Sequence, residues 1–165
     1  MFLYFQRPWA DWAALTLFLL AAVTDWFDGY LARAWKQESR FGAAMDPIAD
    51  KAMVIIALVV ITGYSGMNPW LILPVSVILF REVFVSGLRE FLGDKSRSLA
   101  VTQLAKWKTT LQMVAIAVLL AGPALDKMWP YATQSGIVLL WIAAIVTLYT
   151  GYDYFRAGLK HIVDE

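Results

Sequence analysis

Five long apolar runs dominate this chain of 165 residues, and each is long enough to cross a lipid bilayer. At about 1.5 Å of rise per helical residue, roughly 20 residues span the hydrocarbon of a membrane. Hydrophobic residues make up 60% of the chain and charged residues only 16%, which is more apolar than a soluble core of this size requires. The sequence therefore predicts one domain, residues 1–165, that folds as an all-α, polytopic membrane helix bundle. The five predicted spans are 9–34, 47–64, 69–91, 99–121 and 136–155.

The basic residues lie mainly on one side of this predicted bundle. If the five spans alternate in direction, twelve of the 14 Lys and Arg residues flank the first and third connections or follow the last span. Only Arg7 and Lys127 fall on the opposite side. Cytoplasmic loops of membrane proteins carry an excess of Lys and Arg. The pattern therefore predicts that the first connection, the third connection and the C-terminus face the cytoplasm.

Four aspartates, Asp25, Asp28, Asp46 and Asp50, flank the first predicted connection. An ionised Asp at the centre of a membrane helix costs roughly 2.5–3.5 kcal/mol, so four of them are hard to retain without a neutralising cation. Residues three or four apart share a helix face, and a helical hairpin would bring the two pairs together. Carboxylates suit Mg²⁺ or Mn²⁺, as one ion or two, and such ions commonly hold phosphates as well. The sequence therefore predicts a metal site that binds a diphosphate substrate. The chain has no cysteine, which excludes thiolate ligands.

Structural roles are the alternatives for single members of this set. Asp46 directly precedes Pro47, which is typical of a helix N-cap followed by proline at the first helical position. The dipeptide Asp28-Gly29 alone is typical of a turn. Neither role explains several carboxylates at membrane depth, so the metal site accounts better for the whole set.

The segment from Asp25 to Asp50 resembles the signature of a known enzyme family. It has the form Asp-x-x-Asp-Gly-x-x-Ala-Arg, eight residues, Gly, three residues, Asp, three residues, Asp. That form is similar, at every fixed position, to the signature of the CDP-alcohol phosphotransferase family. Further similar stretches begin at residues 22, 46, 81 and 106, so the resemblance covers nearly the whole chain. In these stretches the chain resembles the family members that use glycerol 3-phosphate.

The resemblance implies a phosphatidyl transfer in phospholipid biosynthesis. The hydroxyl of sn-glycerol 3-phosphate would attack the β-phosphorus of CDP-diacylglycerol, giving phosphatidylglycerol phosphate and CMP. Carried over by position, Asp25, Asp28, Asp46 and Asp50 would hold the metal, and Asp50 would also be the catalytic base. The cytidine nucleotide would be bound by four further signature residues, Gly29, Ala32, Arg33 and Gly42.

The resemblance also bears on architecture and location. Family members usually have six spans, and this chain begins where the second would begin, so we expect it to lack the family's first helix. The family further implies a homodimer in the bacterial inner (cytoplasmic) membrane, with the active site facing the cytoplasm. Its expected partners are the lipid bilayer and the two substrates, and no nucleic acid.

A dianionic acceptor requires cations, and the third and fourth spans supply them. Arg81 and Arg89 are eight residues apart, close to two helical turns. Lys106 and Lys108 lie in the first part of the fourth span, with Thr109 following. We predict that these five residues form the glycerol-phosphate pocket.

Alternatives stay open for these residues and for the function. Lys106 and Lys108 could be ordinary snorkelling lysines at the membrane interface, and Arg81 could pair structurally with Glu82 or Asp50. Within the family, the acceptor could instead be inositol phosphate, serine or phosphatidylglycerol. More remote alternatives are a membrane prenyltransferase, whose aspartate patterns lack the Asp-Gly-x-x-Ala-Arg element, and a divalent-cation transporter, whose carboxylates would lie near mid-membrane.

Overall fold

The described part of the chain is helical. The computed structural model describes residues 8–35, 40–93 and 103–163, with side chains except at 26, 28–35, 40–47, 103–106 and 160–163. Within those ranges there is no strand, and the helices are α1 (Trp9–Trp35), α2 (Arg40–Tyr64), α3 (Pro69–Leu92), α4 (Gln103–Leu125) and α5 (Ala132–Val163). The predicted all-α class is confirmed.

Length and apolar composition identify membrane spans among the described residues. The segments that qualify are Pro69–Leu92, Trp107–Leu125 and Ala132–Leu159. Helices α1 and α2 contain 27 and 25 residues, about 40 and 37 Å of rise, so their lengths also suit the predicted spans. Large apolar side chains such as Phe80 and Ile145 are more than 60% exposed, as expected where a helix faces lipid. The chain is a helical membrane protein.

Helix α3 begins and ends within one residue of its prediction, because its caps are encoded locally. Asn68 Oδ1 accepts a hydrogen bond from the backbone N–H of Trp70 at 3.0 Å, and Pro69 occupies the first helical position. At the other end Gly93 has a φ of +51°, a conformation that glycine adopts without steric cost.

Helix α2 begins at Arg40, seven residues before the predicted start of the second span at Pro47. Pro47 therefore lies inside the helix, and the interpretation of Asp46 as an N-cap is wrong. Membrane helices tolerate an internal proline, because neighbouring groups can satisfy the carbonyl that loses its hydrogen bond. Asp46 and Asp50 consequently lie on one continuous helix.

The last two helices also depart from the predicted spans. Helix α4 (Gln103–Leu125) continues four residues beyond the predicted end at residue 121. Helix α5 begins at Ala132, before the predicted start at residue 136, and continues to Val163, beyond the predicted end at residue 155. Hydropathy marks the segment that suits the bilayer, whereas helical hydrogen bonding continues into polar sequence.

The helices divide into two compact units, which we describe separately. Unit 1 contains the described residues of Met1–Ile61 and Ile116–Gly136, and unit 2 those of Thr62–Ala115 and Ile137–Glu165. Unit 1 therefore carries the aspartate motif, and unit 2 carries the predicted acceptor residues.

The core of unit 2 positions its polar residues. The buried face of α3 repeats every three to four residues, as a helix face does, and consists of Leu71, Pro74, Val75, Ile78, Glu82, Val85 and Leu92. Helix α5 contributes small buried residues that allow close packing: a Cβ added to Gly158 would lie 3.2 Å from Leu92 Cδ1. One carboxylate, that of Glu82, thus occupies a position in the packed face of α3.

Candidate functional site

The aspartate motif lies on two uninterrupted helices. Asp25 and Asp28 belong to α1, and Asp46 and Asp50 belong to α2. Their separations of three and four residues place each pair on one helix face. Asp25 and Asp50 are exposed.

The two pairs lie at matching distances from the connection between their helices. Asp25 is ten residues before the end of α1, and Asp50 is ten residues after the start of α2, about 15 Å of rise in each case. Asp28 and Asp46 are seven and six residues from the same helix ends, about 10 Å. Consecutive helices joined by only a few residues commonly pack antiparallel. In that arrangement the two pairs lie at the same depth.

This donor set fits a divalent cation. Four carboxylates provide the hard oxygen ligands that Mg²⁺ and Mn²⁺ prefer. The described side chains contain no group of three or more His, Cys, Asp or Glu that could hold a metal, but Asp28 and Asp46 are not among those side chains. The remaining signature positions also fall outside the described side chains; they are Gly29, Ala32, Arg33 and Gly42.

Unit 2 contains a buried ion pair between Lys108 on α4 and Glu82 on α3. The Lys108 ammonium donates a hydrogen bond to Glu82 Oε1, and the two residues are only 6% and 9% exposed. Arg81 Nη1 lies 3.3 Å from the same carboxylate oxygen. Snorkelling of Lys108 to the interface is therefore wrong, whereas the alternative pairing of Arg81 with Glu82 is confirmed.

Four buried side-chain groups of unit 2 have no hydrogen-bond partner among the described residues, and two of them are the hydroxyls of Thr147 and Tyr154. The other two are nitrogen donors, Nε of Arg81 and Nε2 of Gln112, which lies one helical turn after Lys108. Leaving a buried donor unsatisfied costs roughly 1–3 kcal/mol, so such groups require an explanation. A ligand rich in acceptor oxygens would satisfy both.

The other predicted acceptor residues are placed differently. Arg89 is exposed, and its guanidinium carbon lies 5.2 Å from the ring centroid of Tyr154, a cation–π contact. Thr109 is exposed, although it follows the buried Lys108 directly. Lys106 belongs to α4, but its side chain lies outside those described. The structure thus brings Arg81 and Lys108 to one carboxylate and Arg89 to an aromatic ring.

Comparison with known proteins identifies the family. The family model described as CDP-alcohol phosphatidyltransferase matches residues 1–149, which include the whole aspartate motif. The chain belongs to this family.

Several curated relatives of the chain carry the same name. The CDP-diacylglycerol--glycerol-3-phosphate 3-phosphatidyltransferase of Cereibacter sphaeroides is 61% identical over an alignment of 198 positions, gaps included, covering 100% of this chain and 90% of the relative. Proteins of the same name from Escherichia coli K12 and Shigella flexneri serotype 5b are each 42% identical over 164 residues, covering 98% of this chain and 87% of the relative. The resemblance inferred from the motif is confirmed.

The sequence did not predict some residues that contribute to the candidate acceptor site. Gly151 leaves room for the Arg81 side chain, because a Cβ at position 151 would lie 2.9 Å from Arg81 Cγ. Gln112 adds a buried donor, and Glu82 was considered only as a structural partner of Arg81. The signal for Glu82 was present: it follows the apolar spacing of α3, where a carboxylate is out of place. Gly151 lies in a helix rich in small residues, which indicates close packing but does not name the partner.

Proposed function

We propose that this chain transfers the phosphatidyl group of CDP-diacylglycerol to sn-glycerol 3-phosphate, forming phosphatidylglycerol phosphate and releasing CMP. The observation that carries the proposal is 61% identity, across the whole chain, to a relative named for this reaction. The signature from Asp25 to Asp50, complete at every fixed position, supports it.

The four aspartates of α1 and α2 would hold Mg²⁺ or Mn²⁺, as one ion or two. When bound, the metal offsets negative charge on the diphosphate and on the departing CMP. The matching distances of the two pairs from the facing ends of α1 and α2 support this assignment, because antiparallel packing of these helices would allow both to contribute oxygen ligands to one site. Asp25, Asp28 and Asp46 would act as ligands only.

Asp50 would be both a ligand and the general base. As the acceptor hydroxyl attacks phosphorus, a new P–O bond forms, the P–O bond to CMP breaks, and CMP leaves with the bonding electrons. The hydroxyl proton must move to a nearby base, and a carboxylate within hydrogen-bond reach can accept it. Asp50 is exposed on α2, one turn after Asp46, which supports this role.

The remaining signature residues would bind the nucleotide. Gly29, Ala32 and Gly42 have little or no side chain, so a ligand can approach the helix backbone closely. Arg33 supplies a planar fork of donors that suits phosphate oxygens. These positions lie on the same two helices as the aspartates.

Arg81 and Lys108 would bind the phosphate of the acceptor. Glycerol 3-phosphate carries close to two negative charges and several acceptor oxygens, and charge-assisted hydrogen bonds to such groups are strong. The buried Lys108 ammonium and the unpartnered Arg81 Nε support this assignment. Arg89, Lys106 and Thr109 would complete the pocket.

The reaction would take place at the cytoplasmic face of the bacterial inner (cytoplasmic) membrane. The excess of Lys and Arg beside the first and third connections supports this orientation. A homodimer embedded in the bilayer is the assembly that the family resemblance implies.

An acceptor comparison tests the proposed function. The 165-residue chain, purified in detergent, is given CDP-diacylglycerol and Mg²⁺ with sn-glycerol 3-phosphate, inositol phosphate, serine or phosphatidylglycerol in turn. We expect CMP release with sn-glycerol 3-phosphate to exceed that with serine by at least about 100-fold, because a site that pairs with a phosphate rejects ligands lacking it. Release with inositol phosphate and with phosphatidylglycerol should also be slower than with sn-glycerol 3-phosphate. Faster release with another alcohol would overturn the assignment of the acceptor.

A further inference from the structure

Glu82 connects the two cations of the proposed acceptor site. Its Oε1 accepts a hydrogen bond from the Lys108 ammonium and lies 3.3 Å from Arg81 Nη1. Glu82 is 9% exposed and belongs to the packed face of α3. Lys108 is 6% exposed on α4, so the carboxylate links two helices through a buried charge pair.

Stability alone does not explain this pair. Removing two charges from water is costly, and an apolar pair of similar volume is often as stable or more stable. Ionisable groups within membrane segments are for the same reason usually functional. The positions of Glu82 and Lys108 in packed faces, where apolar residues would serve packing, therefore indicate a functional role.

The charges of the three residues suit a site that receives an anion. Two cations and one carboxylate leave a formal charge of +1, so the group still attracts a phosphate dianion. Lys and Arg side chains have many rotatable bonds, and fixing them before binding reduces the entropy lost when the ligand binds. A carboxylate that touches both cations can fix both.

We propose that Glu82 is a positioning residue of the acceptor site, which holds the Lys108 ammonium and the Arg81 guanidinium ready for the phosphate of sn-glycerol 3-phosphate. The proposal rests on the proposed function of Arg81 and Lys108. Glu82 itself does not contact the substrate and takes no part in the transfer of the proton.

Steady-state kinetics of Glu82→Gln test this role, with both substrates varied separately. The amide keeps the shape of the side chain but removes the charge that holds the cations. We expect the KM for sn-glycerol 3-phosphate to rise about tenfold or more, while the KM for CDP-diacylglycerol stays within about twofold. Glu82→Asp keeps the charge but shortens the side chain by one methylene, so it should raise the KM for sn-glycerol 3-phosphate by an intermediate amount. This variant provides a second test if Glu82→Gln does not fold.

Glu90→Gln is the matched control, because Glu90 is an exposed acid on the same helix, eight residues later. It should leave both KM values unchanged. An unchanged acceptor KM in Glu82→Gln, or equal changes in both KM values together with lost thermal stability, would overturn the positioning role.

The double variant Glu82→Gln/Lys108→Met separates the cost of an unpaired buried charge from the loss of acceptor binding. It removes both buried charges, so folding should be preserved while the acceptor KM stays high. Recovery of a normal acceptor KM in this variant would contradict the proposal. If neither Glu82→Gln nor Arg81→Ala changes the acceptor KM, the proposed function of the site itself fails. If Arg81→Ala raises the acceptor KM but Glu82→Gln does not, only the role of Glu82 is overturned.

Discussion

The aliphatic part of Arg81 lies directly against the backbone of Gly151. A Cβ built on Gly151 would be 2.9 Å from Arg81 Cγ and 3.4 Å from Arg81 Nε. Gly151 is buried on α5, and Arg81 is mostly covered on α3. Because residue 151 has no side chain, the Arg81 side chain can lie directly against α5 at this position.

Gly151→Ala should displace Arg81 and weaken binding of the acceptor. The contact falls at Cγ, close to the backbone, where the arginine cannot easily turn away. We expect the KM for sn-glycerol 3-phosphate to rise roughly threefold to tenfold, with little change in the KM for CDP-diacylglycerol. Gly87→Ala is the control, because a Cβ there meets nothing within 4 Å. Equal behaviour of the two variants would exclude this role for Gly151.

Arg81→Ala should impair use of the acceptor far more than use of the lipid substrate. Loss of this mostly covered guanidinium removes charge-assisted hydrogen bonds to phosphate, so the acceptor KM should rise by about tenfold to 100-fold. Arg156→Ala, which changes an exposed arginine of α5, serves as the control. Kinetics with each substrate varied in turn provide the measurement, and equal effects on both KM values would remove Arg81 from the acceptor site.

Gly122→Ala should destabilise the protein, although alanine is the better helix former by roughly 1 kcal/mol. An added Cβ would lie 2.6 Å from Thr133 Oγ1 and 3.2 Å from Thr133 Cα. Thr133 cannot retreat freely, because its N–H and hydroxyl both donate to the Asp126 carboxylate. Overpacking of this kind costs about 1–3 kcal/mol.

We expect the apparent Tm of Gly122→Ala in detergent to fall by roughly 2–8 °C at a fixed scan rate. Gly63→Ala, where an added Cβ meets nothing within 4 Å, should leave the Tm unchanged or slightly raised. A Tm of Gly122→Ala at or above that of the unsubstituted chain would show that Thr133 moves aside.

Asp126 should make stability depend on pH. The Thr133 hydroxyl, and then the Thr133 backbone N–H, lower the pKa of the Asp126 carboxyl below its ordinary value. A depressed folded-state pKa means that the carboxylate stabilises the protein above the unfolded value of about 3.9, and that this contribution is lost as the pH falls through the folded pKa.

Asp126→Asn should therefore lower the apparent Tm at pH 7 and have a smaller effect at about pH 3. Thermal unfolding of both chains at several pH values gives the comparison. Thr133→Val, which removes the hydroxyl that lowers the pKa, should reduce this pH dependence. The same Tm difference at both pH values would refute the linkage.

Local sequence signals were sufficient for some helix ends and not for others. The ends of α3 follow from Asn68-Pro69 and Gly93, whose effects act within a few residues. The predicted start of α2 was wrong because proline usually occupies the first turn of a helix. Inside a membrane protein, neighbouring groups make an internal proline such as Pro47 tolerable. The far end of α5 was missed because the polar sequence after residue 155 carries no membrane signal.

Part of the candidate site can likewise be predicted from the sequence, and part of it cannot. The aspartate motif is a set of fixed spacings, so it can be read from the sequence alone. The contact between Glu82 and Lys108 joins residues 26 apart on different helices, and it depends on how α3 packs against α4. Gly151 and Arg81 are 70 residues apart in sequence, so nothing local relates them. Such relations come from tertiary packing.

Metal dependence of CMP release tests whether an aspartate-bound cation takes part in the transfer. The 165-residue chain is stripped with a chelator and assayed with CDP-diacylglycerol and sn-glycerol 3-phosphate while Mg²⁺ or Mn²⁺ is titrated back. We predict that chelation lowers the rate at least roughly 100-fold, that either ion restores it, and that Asp46→Asn stays inactive at saturating metal. Full activity after chelation, or normal activity of Asp46→Asn, would contradict an aspartate-bound cation in the transfer.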